Sequence, residues 1–148
     1  MSPQESITHR IRNTPDEGDV CRLLPGELPG IEEAGAELGF DVLRVDLAGC
    51  VAKHDFLDRI AAALGFPEWF GHNWDALADC LADLSWLPET GHILILEHAD
   101  EFAQEAPAAF TVGVEILREA SRIQGELGLP LWVLLDLRAA PETGPRDG

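Results

Sequence analysis

A chain of 148 residues with 46% hydrophobic side chains is long enough for one domain with its own core, without disulfides or metal to hold it. Twenty-seven Asp and Glu against ten Lys and Arg leave a formal net charge of -17, which argues against a phosphate backbone or an anionic membrane as partner and suits a cationic protein, although such charge also serves solubility. Cys21, Cys50 and Cys80 form no C-x-x-C pair, which fits reduced thiols in a reducing compartment and argues against a disulfide scaffold or zinc site.

Pro15, Gly18, Pro25, Gly26, Pro29 and Gly30 break any period over residues 1–40, predicting an irregular extension with at most a short helix near Ile31–Leu38. Arg10, Arg12, Asp16, Glu17 and Asp19 interrupt any apolar stretch of signal-peptide length, and no later run spans a bilayer, so a cytoplasmic protein is expected. Asp41–Leu47 alternates, with Leu43, Val45 and Leu47 on one side and Arg44 and Asp46 on the other, the period of a half-exposed strand. From Lys53 to Leu64, Phe56, Leu57, Ile60, Ala61 and Leu64 recur at helical spacing, with Asp55 as N-cap and Gly65 and Pro67 as the stop. Residues 66–71 then form a loop carrying two adjacent aromatics, Trp69 and Phe70. Asn73 caps the next helix, Asp75 sits in its first turn where the helix dipole favours negative charge, and Leu77, Cys80, Leu81 and Leu84 form its buried stripe.

His92–Glu97 and Leu131–Leu135 are short apolar runs, as expected of strands covered on both faces of a parallel sheet. Between them Pro107 suits the first turn of a helix whose apolar residues Phe110, Val114 and Leu117 keep helical spacing up to Gly125 and Gly128. The order strand, two helices, strand, long helix, strand predicts a single α/β domain over residues 41–137, a three-stranded parallel sheet packed with helices. Residues 138–148, with Pro141, Gly144 and Pro145, read as an unpacked, flexible tail.

Asp75, Asp79 and Asp83 recur every four residues along the helix that Asn73 opens. Like charges at that spacing destabilise a helix by roughly 0.2–0.5 kcal/mol per pair. No Lys or Arg occurs between Arg59 and Arg118 to offset them, so a counter-charge from outside the chain is the natural complement. With Trp69 and Phe70 just ahead, the helix reads as a protein-binding face, because interface hot spots favour aromatics and complementary charge selects partners. A plainer reading stays open: Asp75 satisfies the helix N-terminus, Asp79 and Asp83 are solvated, and both aromatics plug the core. Enzyme readings find less support. Leu47-Ala48-Gly49-Cys50-Val51 matches neither a dinucleotide fingerprint nor a Walker loop, and no G-x-S-x-G elbow surrounds Ser85. Asp75 with Asp79 lacks the surrounding pocket that acid–base or Mg²⁺ chemistry requires. His9, His54, His72, His92 and His98 show no metal-ligand spacing, so no catalytic residue, metal or cofactor is expected.

The string Leu64-Gly65-Phe66-Pro67-Glu68-Trp69-Phe70-Gly71-His72-Asn73-Trp74-Asp75-Ala76-Leu77-Ala78-Asp79-Cys80-Leu81 closely resembles the central motif of the barstar family. The resemblance continues through Ile93–Leu96 and Glu97, the helix end Leu117-Arg118-Glu119-Ala120 and the last strand, covering residues 41–137. It implies a three-stranded parallel sheet with helices, and an intracellular protein inhibitor of barnase-type ribonucleases; a monomer is expected when the protein is free. The acidic helix and its preceding loop would cover the enzyme's active site, with carboxylates in place of RNA phosphates. By this resemblance Asp79 matches the central inhibitory aspartate, Asp75 its partner one turn earlier, Trp69 the loop aromatic and Glu119 an acidic contact from the later helix. Phe70, Gly71, Asn73, Ala78 and Asp83 complete the expected partner-binding set. Three positions depart from the archetype: Ala78 stands in place of a Trp, Trp69 in place of a Tyr and Asp83 in place of a Gly. The alternative implied is a barstar-like module for a different basic toxin or regulator, without inhibition of RNA cleavage. Glu119 also has a local explanation, a pair with Arg122 at i+3.

Overall fold

The structure is a computed structural model and describes residues 6–67, 70–84 and 90–137. In chain order its elements are α1 (Ile7–Asn13), β1 (Asp19–Arg22), α2 (Leu28–Leu38), β2 (Asp41–Asp46), α3 (Lys53–Leu64), α4 (Trp74–Ala82), β3 (His92–Glu97), α5 (Asp100–Glu105), α6 (Pro107–Glu126) and β4 (Leu131–Leu135). Ile93–Leu96 of β3 and all of β4 are buried, so both strands need cover on both faces. On one face Leu94, Leu96, Leu131, Val133 and Leu135 share a core with Phe56, Leu57, Leu77, Leu81, Phe102 and Leu117 of α3 to α6. On the other, Ile93, Ile95, Trp132 and Leu134 meet Ile7, Ile11, Leu23 and Ile31, from α1, α2 and the segment between them. The sheet is therefore the middle of three layers.

Its order is β1-β4-β3-β2, all parallel, with Val20 opposite Val133, Leu94 opposite Val133 and Val45 opposite Leu96. The sheet thus has four strands rather than the three expected, and the described part of residues 1–40 is more ordered than the irregular extension expected: the short helix near Ile31–Leu38 is there as the longer α2, and α1 and β1 are added to it. The reason is positional. Pro29 falls in the first turn of α2, where a missing N–H costs nothing because no partner exists there, so a residue read as a breaker is a helix start. Gly35 serves packing: a Cβ there would lie 2.6 Å from Val42 Cγ2 of β2. The tail 138–148 lies outside the described residues.

Polar ties add to this apolar packing of the N-terminal layer. Glu27 carboxylate oxygens accept from Ser6 Oγ at 2.7 Å and from the N–H and Oγ1 of Thr8 at 3.0 Å, satisfying the open start of α1 from the start of α2. Arg10 bonds Glu17 and Asp19 at 2.9 and 3.0 Å and lies over the Trp132 ring, whose Nε1 donates to the Pro15 carbonyl at 3.0 Å. Elsewhere α3 spans the expected residues, but its N-cap is Ala52, with no side-chain hydrogen bond, and Asp55 sits inside the first turn rather than at the cap.

Burial alone would raise the Glu27 carboxyl, but the hydrogen bonds from Ser6, Thr8 and Ile7 outweigh it and hold the group below the usual carboxylate range. A depressed folded value means that the stabilisation is present above the unfolded value of about 4.3 and is lost as pH falls through the lower folded one. Glu27→Gln is therefore expected to lower stability at neutral pH by about 1–2 kcal/mol in urea unfolding, with the gap between variant and wild type closing in acid. A gap that stays constant with pH would contradict this role.

Candidate functional site

The local rules that build α4 also decide which side chains it presents. Asn73 is extended (φ -138°) and its Oδ1 accepts from the Ala76 N–H at 2.8 Å, so the helix is capped as its sequence predicts. Leu77, Cys80 and Leu81 are buried in the core. The positions three and four residues apart on the other side, Asp75, Ala78 and Asp79, are exposed together. Among the described residues neither Asp75 nor Asp79 has an ion-pair or hydrogen-bond partner. Asp75, in the first turn, also meets the positive end of the helix dipole.

The entry to α4 is held by rings. Phe70 is only 5% exposed, with its ring 4.9 Å from Phe66 and 4.8 Å from the imidazole of His72. His72 adopts a left-handed backbone (φ 52°) and its Nδ1 lies 2.8 Å from an Asp58 carboxylate oxygen on α3. Trp74 is half-buried between Phe56, at 6.1 Å, and the Lys53 ammonium, at 5.5 Å. Phe70 is thus a core plug just ahead of α4, while Gly71 and Asn73 lie exposed at the helix start. Trp69 lies outside the described residues.

The exit of α4 is held by a residue that sequence reasoning missed. Gln124, buried in α6, donates from Nε2 to the carbonyls of Leu81 and Ala82 at 3.0 and 2.9 Å, satisfying two acceptors that the helix end leaves open. No pattern signals this, because a lone Gln in a helix is an ordinary surface residue. Past Ala82 the chain turns extended: Asp83 is the C-cap, with φ -132° and ψ 93°, so it does not continue the stripe of Asp75 and Asp79, although it remains exposed. Cys80 is sealed below this face. Burial, reinforced by the Asp79 and Asp83 charges, pushes its thiol above the ordinary range, which makes it a packing residue and not a nucleophile.

Glu119 stands on the neighbouring helix α6, exposed, and α6 packs along α4. Arg122 donates to Glu119 from Nε at 3.2 Å and to Glu126 from Nη1 at 2.7 Å, and this pairing holds the Glu119 carboxyl below its usual range. The local explanation of Glu119 is therefore realised, and its charge is already shared. Among the described residues no group of three or more His, Cys, Asp or Glu is placed to hold a metal ion, and no helix is long and apolar enough to cross a membrane. What Asp75, Ala78 and Asp79 offer is an exposed anionic face on a helix held at both ends, suited to docking a cationic surface.

Gln124→Leu keeps the volume and removes the amide, leaving the Leu81 and Ala82 carbonyls unsatisfied. It is expected to cost about 2–3 kcal/mol, more than the ~1 kcal/mol of Asn73→Ala. Hydrogen exchange should quicken over 80–84 in the first variant and at 74–77 in the second; no change over 80–84 would remove Gln124 as the lock.

The model of a protein family described as Barstar (barnase inhibitor) matches residues 40–136. It takes in β2 through β4 with Asp75, Ala78, Asp79 and Glu119, and leaves α1, β1 and α2 outside. Among curated proteins, none matches the chain.

Proposed function

The chain belongs to the barstar family, and on that premise we propose that it binds a barnase-type ribonuclease and blocks its active site with the exposed face of α4. The observation that carries this reading is the pair Asp75 and Asp79: two exposed carboxylates one turn apart, without internal partners among the described residues, on a helix pinned at both ends. A ribonuclease must hold RNA phosphates with cations, and carboxylates fixed at helical spacing can occupy the same cations. Blocking is then steric and electrostatic, with no bond made or broken. Because both ends of α4 are fixed before binding, little conformational freedom is lost on docking, and complementary charge speeds encounter.

In this reading Asp79 is central, Asp75 supports it and Trp69, next to Phe70 in sequence, adds an aromatic contact. Glu119 contributes less, because engaging a partner cation means sharing its carboxylate with Arg122. Asp83, beyond the helix end, lies off the line of the other two. The inhibitor acts inside the producing cell, where it protects that cell's own RNA. A second basic partner, such as a different toxin, would use the same face without affecting RNA cleavage.

The test is RNA cleavage by barnase titrated with this protein at low and moderate salt. Stoichiometric inhibition that weakens as salt rises is expected. That one carboxylate dominates comes with the family, barstar itself being a standard example of an interface hot spot. Asp79→Ala should accordingly weaken inhibition at least about tenfold more than Asp83→Ala, a difference of about 1.4 kcal/mol. Equal effects would remove the central role of Asp79, and binding without inhibition would move the reading to a non-ribonuclease partner.

A further inference from the structure

Beside Asp79 the surface is not flat. Ala78, Val112, Ile116, Ala120 and Ile123 line a groove of about 220 Å³ between α4 and α6, with Glu115 and Glu119 also on its wall. Small-molecule sites usually run from roughly 300 to 1,000 Å³, so this groove has room for one large side chain and not for a cofactor. The short side chain of Ala78 leaves it open on the α4 side, Ala120 is buried, and Val112 is left 36% exposed.

We propose that this groove receives a large apolar side chain flanked by cationic residues on the surface of the ribonuclease. The inference rests on the function proposed above and adds a shape requirement to the charge requirement.

Charge decides the occupant. Glu115 and Glu119 line the groove, and Ala78 shares the exposed face of α4 with Asp75 and Asp79. Of the α6 cations, Arg122 is engaged by Glu119 and Glu126, and Arg118 borders a separate groove with Asp16, Glu17 and Asp19. An apolar group set among anions would be repelled, as would a second copy of this chain, whose net charge is -17. An apolar group set among Lys and Arg gains from both terms, because desolvation of the groove and pairing with its carboxylates act together. A site built this way discriminates among ribonucleases of similar charge, since only one with an apolar side chain at the matching place fills it.

The groove is tested without any ribonuclease, so that its failure and the failure of the inhibitor reading stay separate. The probe is the peptide Lys-Lys-Trp-Lys-Lys, titrated into the full chain while the methyl signals of Val112, Ile116 and Ile123 are followed by NMR. Lys-Lys-Ala-Lys-Lys and Glu-Glu-Trp-Glu-Glu serve as controls. Shifts at these methyls are expected with the first peptide only, with at least a tenfold weaker response to either control. Ala78→Trp, which fills the groove from within at an exposed position, should abolish them and leave the remaining spectrum folded. Equal shifts with the alanine peptide would mean charge alone is read, and equal shifts with the acidic peptide would mean charge is not read; either result, or shifts that persist in Ala78→Trp, overturns the proposal.

Discussion

A helix carrying two carboxylates one turn apart, with no counter-charge of its own, has to be held in place by its other side. In this protein the holding is done by Leu77, Cys80 and Leu81 in the core, by the Asn73 cap at one end and by the Gln124 amide at the other. The buried amide matters most for geometry, because it ties the end of α4 to α6 and so fixes Asp79 relative to Glu119 and to the groove between the helices. Local repulsion between Asp75 and Asp79 is worth only a few tenths of a kcal/mol, which this support absorbs. Under the function proposed, relief of the same repulsion by a cationic surface would favour binding.

The layer on the opposite side of the sheet supports α4 at one remove. Ile7, Ile11, Leu23 and Ile31 cover Ile93, Ile95, Trp132 and Leu134, and without that cover two central strands would expose a continuous apolar face. The family match at residues 40–136 does not include this layer, yet β1 hydrogen-bonds to β4 in the same sheet. The N-terminal segment is thus part of the platform on which α3 to α6 stand. Its polar ties, from Glu27 to Ser6 and Thr8 and from Trp132 to Pro15, all join residues far apart in the chain.

Features governed by neighbours in sequence were legible in the sequence. The Asn73 cap, the Gly65 stop of α3, the apolar runs of β3 and β4 and the long helix from Pro107 follow from rules acting over a few residues, and each stands as expected. Features governed by distant contacts were not. Asp19–Arg22 is a strand only because Trp132–Leu135 lies beside it, and four residues are too few to show a period. Gln124 acts on carbonyls more than 40 residues away, so nothing near it in sequence announces its role. Asp83 keeps the four-residue spacing of Asp75 and Asp79 in sequence but loses their face because the helix ends at Ala82. The burial of Phe70 comes from Phe66 and His72 folding around it, which an aromatic in a loop does not by itself announce.

If the α4 face occupies the place where a ribonuclease holds RNA phosphates, as proposed, this protein and RNA must compete for the enzyme. The measurement is binding of this protein to barnase by calorimetry, in the presence of increasing concentrations of a short, non-cleavable RNA analogue. Mutually exclusive binding, with the apparent affinity for the protein falling in proportion to the analogue's occupancy, is the predicted result. A ternary complex, in which the analogue stays bound and the protein's affinity is unchanged, would show that the α4 face binds elsewhere on the enzyme or not at all.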